Sequence, residues 1–307
     1  MPADEQYRRQ VALLIRTLPL IAQEKCFALK GGTAINLFIR DMPRLSVDID
    51  LMYLPVVDRE ESLEGIETAL RRIEERVTGS IPSARIQRGW LQDKGTVNKL
   101  FVRERSRQIK IEVMPVLRGC VYEPEEKAVS DVVEEQFGFA AIQVVSFADL
   151  YAGKLVAALD RQHPRDLFDV RELLVNEGID TRLRNAFIVY LISHSRPMAE
   201  VLAPVRHDIS REFARGFDGI TEVAVRLEDL IQAREELIAE IVDRMPDAHR
   251  RFLLSFKKGE PDWLLLDVPN AQTLPAVRWK LENLSRMDAQ KRAKAIARLE
   301  EVLTQMS

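Results

Sequence analysis

Apolar residues at Val11, Leu14, Ile15, Leu18 and Ile21 fall three and four apart, the spacing that lines one face of a helix, and predict an amphipathic helix over residues 7–22. The run Cys26-Phe27-Ala28-Leu29 reads as a short strand that stops at Gly31-Gly32, after which helical spacing resumes over residues 33–39. Past Pro43 the period changes to two: Ser46-Val47-Asp48-Ile49-Asp50-Leu51 alternates polar and apolar side chains as a half-buried strand does. Asp58 with Glu61 three positions on forms a capping-box pattern, and Ile66, Ala69, Leu70, Ile73 and Val77 give the helix behind it an apolar stripe. Strand patterns follow near residues 84–88, 96–102 and 108–116, with turns at Gly89, Gly95 and residues 103–107.

Beyond a short strand at residues 142–145, Ser146 and Asp149 repeat the capping pattern ahead of a helix through Asp160. Pro164 is placed to start the next helix and Gly178 to end it. From about Thr181 the strand signals disappear and the pattern is almost wholly helical. The expectation is an α+β chain with a core over residues 1–180 and a helical C-terminal domain over residues 181–307, without internal repeats.

Three groups of residues carry candidate chemistry. Lys30-Gly31-Gly32-Thr33 is a strand-to-helix turn; its glycines let the backbone approach a ligand, and the start of a helix offers unpaired N–H groups to phosphate. Asp48 and Asp50 stand two apart on a strand and so project from one face, while Val47, Ile49 and Leu51 face the core. Two adjacent carboxylates repel, and a cation such as Mg²⁺, completed by substrate phosphates, relieves that repulsion. Glu112 opposes the apolar Ile109, Ile111 and Val113 on another alternating strand; it reads either as a third acid able to help hold a second metal or as an exposed cross-strand partner of the neighbours of Lys110.

The third group lies further along the chain. Lys154 and Arg161 are seven apart and share a helix face, and Arg165, Asp166 and Asp169 open the next helix. Cations of this kind clamp a triphosphate or the charge that develops in phosphoryl transfer. The same residues also suit an Arg165–Asp169 pair across one turn and an acid at a helix start, which could orient Lys154.

Composition changes this picture little. An apolar fraction of 46%, a charged fraction of 30% and a net charge of -3 over 307 residues describe a globular chain too apolar for wholesale disorder. Cys26 and Cys120 have no metal-ligand spacing and fit a reducing compartment. The N-terminus shows no basic segment leading into an apolar one, and no apolar run approaches the ~20 residues of a membrane span, so a cytoplasmic protein without a membrane segment is expected.

Lys30-Gly31-Gly32-Thr33, Arg44-Leu45-Ser46-Val47-Asp48-Ile49-Asp50-Leu51, Lys154 with Arg161, and Arg165-Asp166-Leu167-Phe168-Asp169, in this order, resemble the motifs of the AbiEii/AbiGii nucleotidyltransferase toxins. The resemblance spans residues 26–175, with an echo at Trp279-Lys280-Leu281-Glu282-Asn283-Leu284. It implies a polymerase-β-like, mixed-sheet nucleotidyltransferase core flanked by helices, and an enzyme using an NTP as co-substrate with Mg²⁺ or Mn²⁺. It also implies a type IV toxin, encoded beside an AbiEi-like antitoxin, that adds nucleotides to the 3′ end of tRNA and blocks translation. By position, Gly32 and Thr33 would contact the triphosphate with Lys30, Gly31 and Ser46 around them; Asp48 and Asp50 would bind the metal; Lys154 would hold phosphate beside Arg161 and Arg165; and Asp166 or Asp169 would complete the site.

An RNA acceptor calls for positive charge, because phosphate contacts dominate nucleic-acid affinity. Residues 84–119 hold nine basic residues (Arg85, Arg88, Lys94, Lys99, Arg103, Arg105, Arg107, Lys110 and Arg118) against the acids Asp93, Glu104 and Glu112. That excess argues against a small cationic acceptor, the main competing substrate. The joint presence of Asp48, Asp50 and Lys154 argues against a binding module without catalysis.

Overall fold

The alternating run at residues 48–51 forms part of a central strand, and its two faces meet different surroundings. In the computed structural model of the protein, which describes residues 2–91 and 95–305, contacts divide the chain into two units, Met1–Ser146 and Phe147–Ser307. This division precedes the one expected near residue 180, because the helices that start at Phe147 and Pro164 pack mainly on later helices.

The first unit runs α1 (Pro2–Ile21), β1 (Phe27–Lys30), α2 (Gly31–Ala34), β2 (Asp48–Tyr53), α3 (Arg59–Ser80), β3 (Ala84–Trp90), β4 (Val97–Glu104), β5 (Arg107–Arg118), β6 (Glu125–Ala128), α4 (Asp131–Phe137) and β7 (Ala141–Val144). Its described residues form a mixed seven-stranded sheet in the order β3-β4-β5-β2-β1-β7-β6. β2 runs parallel to β5 and antiparallel to β1, and β1 runs parallel to β7.

α1 and α3 pack side by side on the sheet, and the apolar stripes of both helices are fully buried there. They cover a face built from Leu29, Ile49, Leu51, Leu100, Val102, Ile109, Ile111 and Val113, every one of them buried. Such burial is worth about 1.5–3 kcal/mol per large side chain and fixes which face of β2 points inward. Asp58 caps α3 as its sequence suggests, accepting the Glu61 N–H at 2.9 Å. Glu125-Glu126-Lys127-Ala128 has no alternation that predicts a strand, yet it forms β6, an edge strand that among the described residues pairs with β7.

The second unit is helical: α5 (Phe147–Arg161), α6 (Pro164–Asn176), α7 (Thr181–Ser193), α8 (Met198–Leu202), α9 (Ser210–Gly216), α10 (Leu227–Ile238), α11 (Asp247–Lys258), α12 (Pro275–Ser285) and α13 (Ala289–Gln305). α5 packs on α7, and α6 on α10. Gly178, with φ of +71°, closes α6 by donating to the Leu173 carbonyl at 2.8 Å. Asp149 is buried and accepts a hydrogen bond from Tyr190 Oη at 3.2 Å. Cys26 and Cys120 are both free thiols, and burial, reinforced by Glu24, pushes the Cys26 thiol up to about 11. Among the described residues no helix is long and apolar enough to cross a membrane.

Candidate active site

The sheet face opposite the apolar one carries charge. Register places Lys30 beside Asp50 on β1 and β2, Asp48 beside Lys110 and Asp50 beside Glu112 on β2 and β5, and Lys99 of β4 beside Glu112. Three carboxylates and three ammonium groups therefore share one surface of four adjacent strands. Asp48 has the open position, its side chain 54% exposed. Burial pushes the Asp50 carboxyl upward and the like charges of Asp48 and Glu112 add to this, while Lys30 and Lys110 pull it back.

Glu112 lies in the row with Asp50, and two lysines occupy it: Lys99 Nζ at 2.8 Å and Lys110 Nζ at 2.9 Å, the latter also 3.8 Å from Asp48. Burial alone would raise the Glu112 carboxyl, but the lysines outweigh it and hold it below the usual range. Glu112 thus has a cross-strand partner in Lys99 and a same-strand partner in Lys110. Among the described residues no group of three or more His, Cys, Asp or Glu is arranged to hold a metal. Asp48 and Asp50 suit a cation that takes one or two carboxylates and completes its shell with substrate phosphate and water, the habit of Mg²⁺.

The glycine turn abuts this pair. Gly31 has φ of +76°, and a Cβ there would lie 2.5 Å from Asp50 Oδ2. A Cβ on Gly32 would lie 2.7 Å from Arg44 Nη2 and 3.0 Å from Ser46 Oγ. The turn is thus wedged between a carboxylate and a guanidinium. Thr33, only 1% exposed, donates its hydroxyl to the Asp48 carbonyl at 2.5 Å and lies 3.0 Å from Ser46 Oγ. Its side chain braces the entry of β2. Ser46 is fixed in turn, its N–H donating to Tyr7 Oη at 2.8 Å.

Arg44 is the residue whose role was not assigned from sequence, although it stands in the quoted motif. It is buried, donates to the Leu45 carbonyl at 3.0 Å and holds its guanidinium over Gly32. An arginine between a glycine turn and a D-x-D strand is the signal that could have marked it. Gly31→Ala should destabilise the first unit by about 1–3 kcal/mol, because it combines a left-handed backbone with a clash on Asp50. Denaturant unfolding checks this; a loss below about 0.5 kcal/mol would show that Asp50 moves aside freely.

In the second unit Lys154 and Arg161 converge on one acid. Lys154 Nζ lies 2.7 Å from Asp166 Oδ1 and 3.0 Å from Asp169 Oδ2, and Arg161 Nε donates to Asp166 Oδ2 at 2.5 Å. Lys154 is 7% exposed and both aspartates are buried, whereas the Arg161 side chain is 62% exposed. Burial opposes ionisation of Asp166, but the Lys154 charge and the Arg161 hydrogen bonds prevail and hold its carboxyl well below the ordinary range. His163 Nδ1 caps α6 by accepting the Arg165 N–H at 3.1 Å. The expected Arg165–Asp169 pair gives way to other partners: Arg165 donates to the Gly216 carbonyl at 3.3 Å while Asp169 holds Lys154.

Because the folded-state value of Asp166 is depressed, its stabilising contribution is full above the unfolded value near ~4 and is lost as pH falls below it. The urea midpoint should therefore hold above about pH 4 and fall steadily as the pH is lowered from there toward about 2, and Asp166→Asn should flatten that fall. An equal slope in wild type and variant would remove Asp166 from the acid response.

A family model described as "Nucleotidyl transferase AbiEii toxin, Type IV TA system" matches residues 12–283. The fold is similar to that of MenT4, a nucleotidyltransferase toxin from Mycobacterium tuberculosis H37Rv, with a TM-score of 0.60 over 91% of this chain and 94% of that one, at 17% identity. No curated protein matches the sequence. With a match spanning most of its length, from within α1 to within α12, the chain belongs to the AbiEii family of type IV nucleotidyltransferase toxins.

Proposed function

We propose that this protein moves a nucleoside monophosphate from an NTP onto RNA, at the 3′ end of tRNA, with Mg²⁺ or Mn²⁺, and thereby blocks translation. The observation that carries the reading is the charged sheet face, where Asp48 and Asp50 adjoin the Gly31-Gly32 turn with Lys30 and Lys110 beside them. Asp48 and Asp50 would hold the cation, which when bound neutralises phosphate charge and eases deprotonation of the attacking hydroxyl. Lys30 and Lys110 supply positive charge to the triphosphate end, where pyrophosphate departs. Arg44 and Thr33 keep the turn and the start of β2 in place. In the second unit Asp166 and Asp169 orient Lys154, and the exposed Arg161 is the group of that cluster accessible to a phosphate. We place the enzyme in the cytoplasm, under the control of an AbiEi-like antitoxin.

The basic segment gives the RNA reading less support than its count suggested. Glu112 holds Lys99 and Lys110, Glu74 holds Arg88, Arg107 lies against Glu104, and Arg118 is buried. Asp93 and Lys94 lie outside the described residues. The test is incubation of the protein with total tRNA, Mg²⁺ and each α-labelled NTP in turn. Label on tRNA with one NTP supports the reading; label on protein or a small molecule, with none on tRNA, replaces the acceptor.

A further inference from the structure

The second unit contains a cavity of about 380 Å³ between α8, α11 and α13. Its walls carry Lys257, Lys291, Lys294 and Arg298 against one carboxylate, Glu200, over a floor that includes Met198 and Leu299. Glu200 is engaged by Arg196 at 3.1 Å, and Arg298 by Glu301 at 2.6 Å. Among the described residues the side chains of Lys257, Lys291 and Lys294 form no ion pair. Lys291, Lys294 and Arg298 are spaced three and four apart on α13, so they form a stripe about 10 Å long on one helix face.

Lys257 faces this stripe from α11. Burial pulls its ammonium below the usual lysine value, and burial with the charge of Lys257 does the same to Lys280, which donates to the Ser195 carbonyl at 3.3 Å. Four cations line the cavity against one carboxylate, so like charges repel across it, and a bound polyanion would relieve that repulsion. Compact ammonium groups without acidic partners suit the phosphates of a nucleic-acid backbone, which they contact without reading sequence.

We propose that this cavity docks the phosphodiester backbone of the RNA acceptor, held by Lys257, Lys291 and Lys294 away from the Asp48–Asp50 pair in sequence and unit. The inference rests on the reading of the acceptor as RNA. The three α13 cations lie beyond the 12–283 segment that the family model matches, so the assignment concerns this chain's own residues.

The experiment uses full-length wild type, a Lys291→Glu/Lys294→Glu double variant and Lys257→Met, which removes charge at similar volume. Fluorescence anisotropy of end-labelled tRNA across a salt series gives affinity and salt dependence; calorimetry with ATP and Mg²⁺ gives nucleotide binding without RNA. The expected result is tRNA affinity weakened on the order of tenfold or more in the double variant, a salt slope smaller by about 1.5 to 2, and unchanged ATP binding. Lys257→Met should weaken tRNA in the same direction. If wild type binds and labels tRNA while both variants match it in affinity and slope, the cavity assignment is wrong and the transferase reading stands. If wild type neither binds nor labels RNA, both fall together. Loss of ATP binding with tRNA affinity intact makes the cavity a mononucleotide site and overturns the proposal.

Discussion

Asp48→Asn should lower nucleotidyl transfer on the order of 10³-fold while leaving the unfolding free energy within about 0.5 kcal/mol of wild type. The Asp48 side chain is the exposed carboxylate of the β2 pair, and its ion-pair contact in the structure, Lys110 at 3.8 Å, is long. Asparagine keeps its size and one acceptor oxygen but removes the charge that would neutralise a cation. Because the Asp48 carbonyl, not its side chain, receives the Thr33 hydroxyl, the brace at the start of β2 survives the substitution. The rate comes from labelled transfer under single-turnover conditions, and the fold from circular dichroism and denaturant unfolding. Transfer within tenfold of wild type, with folded protein, would move the chemistry away from Asp48.

Lys154→Met should destabilise the second unit by about 3–5 kcal/mol. Methionine fills most of the lysine volume, so the loss reports charge. Without the ammonium, the carboxylates of Asp166 and Asp169 remain buried near one another, and Arg161 hydrogen-bonds the first. One of the two can take up a proton, which limits the penalty without removing it. The triple variant Lys154→Met/Asp166→Leu/Asp169→Leu should recover much of the stability, because apolar replacement of a whole buried ionic cluster is often close to neutral. Urea unfolding measures both. A single variant that loses less than about 1 kcal/mol would show that the cluster is hydrated and not held as drawn.

Much of this architecture can be read from the chain because it follows from period. Ile49 and Leu51 are buried and Asp48 and Asp50 are not enclosed with them because successive strand residues point to opposite faces, a property visible in six consecutive letters. The same rule put Glu112 on the correct face of β5. It could not show that Lys99, on the neighbouring strand, would share its oxygens, since cross-strand partners depend on register. Thr33 is a similar case: a hydroxyl beside two glycines suggests a phosphate ligand, and only the return of the chain through Ser46 gives that hydroxyl an internal partner. Arg165 illustrates competition between local and distant partners, the turn-spaced Asp169 being already engaged by Lys154. β6 and α4 went unnoticed because short edge elements need little apolar pattern to form.

The alternation of β2 also sets where this gene tolerates changes in length. Adding or deleting one residue within residues 48–51 would break the phase that separates Asp48 and Asp50 from the buried Ile49 and Leu51, so reading-frame-preserving indels there should be purged as unfolded protein, whereas the register already shifts between Leu51 and Tyr53. Residues 40–43 pair with no strand and connect the turn to the bridged, buried Arg44. Family members are therefore expected to differ in length ahead of Arg44, and to keep the Arg44-to-Leu51 segment invariant in length even where its sequence drifts.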